Sequence, residues 1–404
     1  MRRALGRPFR PDRLRARRTG PANLLLIGID TLRADHLGCY GYGGGPVSPH
    51  LDRLVQGGTL FQDVTAPAPW TLPSFSSALT GVMPGLHGAY LTGKTRNMDT
   101  QPPRRLNTDT VTLAAHLRRQ GYRTAAFYSN QFFAFGLAES FDEHHYHNLA
   151  AEDLAAVARE WIRTHADGPF FCFILFNDPH EPTTPSRQDL APFWPRALAA
   201  GAPDRTDFLE GVARWGAGPQ LGRMEDPRLP ANQAVLAAKL AVYDATIRQV
   251  DRAIGGLQAQ LDTWGLGPGT LVSVFSDHGE EFLDHAEFSR LWNHDPRPIH
   301  GIGHGHTLFQ ELLHVPWLAW GPGVPAGSRH RGPVSLCDLS PTLLRWLGLP
   351  QMEQPALVGR LSVPTPASLP TELSRLLTGH PVDPASEPTS RPDHDKEPFI
   401  LAEA

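Results

Sequence analysis

Apolar positions along the chain fall into two periods. Unbroken runs of strand length occur at Asn23 to Ile29, Arg123 to Tyr128, Phe170 to Phe176, Leu271 to Ser276 and Val315 to Trp320. Between them, apolar residues recur every three or four positions. That spacing predicts helices at His50 to Gln56, Ser74 to Leu79, Thr110 to Gln120, Ala150 to His165, Ala231 to Trp264 and Asp338 to Leu347. Strands alternating with helices in this way predict an α/β fold: a mainly parallel central sheet with helices on both faces. Ligands in such folds gather beyond the carboxyl ends of strands. Asp30, Asp178 and Asp277 each stand just past one.

The remaining segments set the domain limits. A Gly-rich loop runs from Asp30 to Gly45, and a Pro-rich turn from Ala66 to Pro73. Residues 185–230 have many prolines and little periodicity, and read as an insertion or lid. From Pro350 the chain thins into Pro, Ser and Thr. The expected division is a basic arm at 1–21, a body at 22–349 and a tail at 350–404. Composition supports a large core, with 41% hydrophobic and 19% charged residues among 404. A net charge of −4 argues against a nucleic-acid partner. The charge is uneven: residues 1–20 hold eight Arg and one Asp, leaving −11 for the rest. That segment leads into no apolar signal region and is expected to be disordered. No stretch reaches the ~18–20 apolar residues of an integral membrane segment, so the default address is cytoplasmic. Cys39, Cys172 and Cys337 are too few and too far apart for a disulfide framework or zinc cluster.

Three places carry chemistry. Asp277-His278 follows one buried strand and Asp30 another, offering two carboxylates and an imidazole for Ca²⁺, Mg²⁺, Mn²⁺ or Zn²⁺. Each alone is equally consistent with a loop or cap residue. In Trp70-Thr71-Leu72-Pro73-Ser74, a Pro-rich loop enters a helix, so Thr71 lies at or near a helix N-terminus. There it is a nucleophile if a metal lowers its pKa, or a simple cap.

Taken together, the segments resemble the sulfatase family of the alkaline-phosphatase superfamily. The matching blocks are Asn23–Gly41, Ser48–Leu54, Pro69–Gly88, Gly121–Asn130, Phe176–Pro182, Val274–Glu281, Gly303–Pro316 and Asp338–Gly348, in family order. The resemblance implies one divalent cation held by Asp30, Asp277 and His278, with Thr71 at the same metal. It implies that His180 contacts the ester oxygens or protonates the leaving group. His306 and its neighbour His304 fall where relatives carry a substrate-binding Lys, and would bind an anion or a second metal. Asn130 would line the anion pocket.

The departures bear on mechanism. Thr71 stands at the nucleophile position and Phe75 at an Arg position, so formylglycine is not expected. Thr31 replaces the second Asp of the first motif, and Ser129-Asn130 replaces a Gly-Lys segment. Thr nucleophiles occur in the superfamily's phosphotransferases and nucleotide phosphodiesterases. The expectation is therefore a metal-dependent hydrolase of a small anionic phosphate or sulfate ester, with Thr71, His180 and His306 as catalytic groups. The alternatives are a catalytically silent binding or scaffold protein, or a phosphotransferase using Thr71. Relatives continue into a small C-terminal sheet and helix. The stop at Ala404 implies a truncated subdomain, a poorly ordered tail and an apolar patch inviting self-association.

Overall fold

A computed structural model describes residues 22–91, 102–182, 185–204, 208, 212, 230–285 and 301–354. The basic arm, much of the expected insertion and the tail from 355 onward lie outside these residues.

Ten strands are present among the described residues: β1 (Asn23–Ile29), β2 (Thr59–Thr65), β3 (Arg123–Tyr128), β4 (Glu143–Tyr146), β5 (Phe170–Phe176), β6 (Thr270–Ser276), β7 (Glu281–Phe282), β8 (Ile302–Gly303), β9 (Trp317–Trp320) and β10 (Ser328–Ser335). Eight form one sheet in the order β10-β2-β9-β6-β1-β5-β3-β4, and β7 pairs with β8. β9 runs antiparallel to β2 and β6; the other pairs of the large sheet are parallel. Along β1, Leu25, Ile27 and Ile29 enter one core while Leu24 and Leu26 enter the other. A strand apolar on both faces reads as a continuous run, which is why the central strands were legible. β2, β4 and β10 were not. β4 is exposed throughout, and β10 carries Arg, Gly and Pro at the sheet's edge.

Six helices frame the sheet and the site: α1 (Pro49–Leu54), α2 (Thr71–Thr80), α3 (Leu113–Arg119), α4 (Ala151–His165), α5 (Pro230–Thr263) and α6 (Leu339–Trp346). α1, α4 and α5 cover one face of the sheet, and α2, α3 and α6 the other. α2 starts three residues before its expected start at Ser74. Pro73 falls in its first turn, where no intrahelical N–H is needed. α3 starts at Leu113 because Thr112 caps it, its Oγ1 accepting from the Ala115 N–H at 3.1 Å. β9 begins only at Trp317, since Pro316 has no N–H to give a ladder.

α2 comes unusually close to β1. A Cβ at Gly28 would lie 2.5 Å from Cε1 of Phe75 on α2, so only glycine admits the helix at this depth. Residues 185–204 form two short helices tied to α5, with Ser186 N–H on Gln249 Oε1 at 2.8 Å and Arg252 on Asp189. Residues 350–354, expected to open a loose tail, are anchored. Gln354 Nε2 donates to the carbonyls of Thr80 and Val111, at 2.6 and 2.7 Å.

Candidate active site

The site grows from the sheet's register. Ile29 pairs with Ser276 on one side and Phe176 on the other. The next residues, Asp30 and Asp277, therefore emerge side by side at one strand spacing, ~4.8 Å. Ser276 fixes this end, its hydroxyl donating to the Ile29 carbonyl (2.7 Å) and accepting from the Leu32 N–H (2.9 Å). Thr31 turns the chain with φ 58°, a left-handed value that costs a β-branched residue energy. Tyr243 of α5 holds that turn, donating to the Thr31 carbonyl (2.7 Å) and accepting from the Arg33 N–H (2.9 Å).

Asp30, Asp277 and His278 are fully buried. His278 Nε2 lies 3.4 Å from Asp30 Oδ1 and 3.3 Å from Asp277 Oδ2. Among the described residues, neither oxygen has a hydrogen-bond partner. Burial, with His304 close by, pushes the His278 imidazole down to about 3, so it stays neutral with a lone pair to offer. Burial and the adjacent Asp30 raise the Asp277 carboxyl well above its usual range. Two buried carboxylates and a neutral imidazole form a donor set that lacks positive charge. Ligands of one ion at ~2.0–2.6 Å lie at most about 5 Å apart, and these three ligand atoms fall within 4.8 Å of one another. A divalent cation fits the set.

Thr71 opens α2, 2% exposed, with Oγ1 3.4 Å from His278 Nε2. Ser74, one turn on, donates to the Asp277 carbonyl at 2.6 Å and ties the helix start to the end of β6. Asn130, expected in the anion pocket, is committed to its neighbours. Its Nδ2 donates to Asp30 Oδ2 (2.6 Å), and its Oδ1 accepts from the Phe132 N–H (2.9 Å). Asp178 is not one of the three clustered ligands: its Oδ2 accepts the Ala151 N–H, the first of α4, at 2.9 Å.

The histidines stand in a file beside the carboxylates. Ring centroids are 4.5 Å apart for His278 and His304, and 5.0 Å for His304 and His180. His180 Nδ1 pairs with the Glu181 carbonyl. His304 Nδ1 lies 3.1 Å from Glu280 Oε2, and His306, its side chain 1% exposed, places Nε2 2.7 Å from Glu281 Oε2. The β7–β8 ladder brings these partners together, pairing Glu281 with Gly303. Glu281, His285 and Glu311 form a second group of potential ligands within 4.8 Å, laced by a 2.6 Å contact between His285 Nδ1 and Glu311 Oε1.

Glu280 and Lys239 are neighbours of the site that sequence reasoning missed. Burial raises the Glu280 carboxyl, opposed by His180, His278, Lys239 and His306 around it. Lys239 of α5 is 4% exposed, paired with Glu181, and pushed down to about 8 by burial, with Glu280 opposing. Its sequence signal was a lysine three and four residues before Val242 and Tyr243, on the buried stripe of α5. Glu280 gave none beyond its place after Asp277-His278-Gly279.

Comparison with known proteins bears on the family and the fold. The sequence model of the family described as Sulfatase matches residues 22–349. A sulfatase of Formosa agariphila is 22% identical over 353 residues, covering 75% of this chain and 64% of that protein. Arylsulfatase K of Danio rerio is 33% identical over 111 residues, 28% of this chain and 18% of that one. The chain thus spans less than two-thirds of either relative. A phosphonate monoester hydrolase of Agrobacterium radiobacter has a similar fold, with a TM-score of 0.61 at 20% identity over 90% of this chain and 78% of its own.

Proposed function

From the premise that the chain belongs to the sulfatase family, we propose that it is a metal-dependent hydrolase of phosphorus or sulfur esters with Thr71 as nucleophile. The observation that carries the reading is the pair of unpartnered oxygens, Asp30 Oδ1 and Asp277 Oδ2, facing His278 Nε2 beside the Thr71 hydroxyl. Asp30, Asp277 and His278 would hold the cation, with Thr71 at its edge. When bound, a divalent ion lowers the pKa of a nearby hydroxyl and neutralises charge on the ester oxygens.

The protein's own groups do the rest. Thr71 Oγ1, fixed at the first turn of α2, attacks in line and forms a phosphothreonine ester. The Thr71 hydroxyl proton passes to solvent as the new bond forms, and His180, carrying protons on both ring nitrogens for this step, gives the Nε2 proton to the departing alcohol oxygen while Nδ1–H stays on the Glu181 carbonyl. Water then cleaves the adduct. Threonine cannot form the aldehyde hydrate whose adducts collapse unaided, so this chemistry favours phosphorus esters over sulfate.

The test is direct. Chelated protein is assayed with 4-nitrophenyl phosphate, 4-nitrophenyl phenylphosphonate and 4-nitrophenyl sulfate, before and after adding Mn²⁺, Zn²⁺ or Ca²⁺. The reading requires cation-dependent turnover of a phosphorus ester, and binding of about one equivalent of cation. Cation binding without turnover of any of the three would favour a binding role.

A further inference from the structure

Lys239 sits on the buried stripe of α5 beside Ala238, Val242 and Tyr243, all three in the core. An ammonium at that depth is costly unless an opposite charge meets it. Glu181 meets it, with a side chain only 12% exposed. The second oxygen of that carboxylate, Oε2, is buried without a hydrogen-bond partner among the described residues, so the ion pair holds this side chain. Glu280 faces the pair across a small cavity that Pro179 and Tyr243 also line.

The grip on Glu181 matters for the residue before it. The chain turns after β5, with the His180 N–H donating to the Asn177 carbonyl at 2.7 Å. His180 Nδ1 then pairs with the Glu181 carbonyl at 2.5 Å, which sets the rotation of the ring. The ring centroid lies 5.0 Å from that of His304, which lies 4.5 Å from that of His278. One end of the His180 turn is thus fixed by its own hydrogen bond and the other by Lys239. Contacts run from α5 to the buried ligand set without a break.

We propose that Lys239 is a positioning residue for the leaving-group proton transfer, acting through Glu181 to fix the His180 ring. The inference rests on the hydrolase reading and adds to it a residue with no step of its own in the reaction. Proton transfer is sensitive to alignment, and a misplacement of ~1 Å can cost about a hundredfold. Without the ammonium, Glu181 and Glu280 would remain as like charges on one buried cavity. The Glu181 side chain then turns toward solvent, and its carbonyl no longer sets the ring.

The leaving group reads this directly. Phenol, with the pKa of ~10 of a tyrosine side chain, departs poorly without a proton. 4-Nitrophenol is a stronger acid and needs less help. The ratio of kcat/KM for the 4-nitrophenyl ester to that for the phenyl ester, of phosphate or phenylphosphonate, is measured on the Mn²⁺-loaded full chain. The set is wild type, Lys239→Met, Glu181→Gln, the double variant, Lys239→Arg and His180→Gln, each with a melting curve. The positioning role requires the ratio to rise about tenfold in Lys239→Met, in the direction set by His180→Gln. Glu181→Gln keeps the backbone, removes the ion pair and should raise the ratio too, even should Lys239→Met unfold. The double variant should be no worse than Lys239→Met, since the two side chains act as a unit. Lys239→Arg restores the charge and should bring the ratio back to within about threefold of wild type. Equal slowing of both esters in Lys239→Met and Glu181→Gln, or no slowing, overturns the positioning role. A ratio that moves in His180→Gln alone does the same and leaves the acid standing. A ratio unmoved in His180→Gln overturns the acid and this inference together. Absence of turnover of either ester by wild type overturns the hydrolase reading and, with it, the role of Lys239.

Discussion

Asn130 Nδ2 lies 2.6 Å from Asp30 Oδ2, while the other oxygen of the same carboxylate, Oδ1, has no hydrogen-bond partner among the described residues and faces His278. The amide thus orients the carboxylate and leaves its unpaired oxygen for an ion. Groups that orient a metal ligand typically contribute 10–100-fold in affinity. Asn130→Ala is expected to weaken Mn²⁺ or Zn²⁺ binding by about that factor, and Asp30→Ala to abolish it, both read by calorimetric titration of chelated protein. An Asn130→Ala variant that binds as tightly as wild type would remove the amide from the metal site.

The approach of α2 to β1 depends on Gly28. In Gly28→Ala the new methyl meets Phe75, whose ring already sits 5.5 Å from Phe275 and 6.1 Å from Phe173. Overpacking of this kind costs about 1–3 kcal/mol. Chemical denaturation should show that loss, and Gly28→Ala combined with Phe75→Leu should recover part of it. Turnover should fall with Gly28→Ala as well, because the displaced helix carries Thr71.

His87 supplies a pH dependence on the opposite flank of α2. Its Nδ1 accepts the Ala89 N–H at 3.1 Å, while Nε2 lies 3.2 Å from the Pro73 carbonyl and 3.1 Å from Ser77 Oγ. Burial pushes this imidazole down to about 4. The neutral ring is favoured in the fold, so its stabilisation is present above the unfolded pKa of ~6.5 and is lost as pH falls toward 4. The loss amounts to about 3 kcal/mol, enough to lower the melting temperature by several degrees. His87→Gln should be less stable at pH 7 and flatter between pH 6.5 and 4. A variant that keeps the wild-type slope would assign the dependence to other groups.

The sheet's centre and the carboxylate pair were legible in the sequence for one physical reason. Parallel strands buried on both faces must be apolar throughout, and the first polar residue after each marks the ligand-bearing end. Asp30 and Asp277 stand out by that rule. The same rule also selects Asp178, which accepts the first N–H of α4, because the end of a strand offers both helix starts and a site. Edge strands β4 and β10 carry polar residues for protection and so lose the pattern. The two-residue strands β7 and β8 are too short to show any period, yet their pairing delivers Glu280, Glu281, His304 and His306 to one place. Lys239 was hidden by its helix, since a lone charge on an apolar stripe is read as surface until its partner is known.

The central claim is that Thr71 Oγ1 attacks the ester. The measurement that tests it most directly is acid quenching of the Mn²⁺-loaded protein during turnover of a 4-nitrophenyl phosphorus ester, followed by peptide mass mapping. A nucleophilic Thr71 predicts a phosphoryl-type adduct on the peptide carrying Thr71, retained turnover in Thr71→Ser, and neither adduct nor turnover in Thr71→Ala. Undiminished turnover in Thr71→Ala, with no adduct in wild type, would show that water attacks directly and that Thr71 only starts the helix.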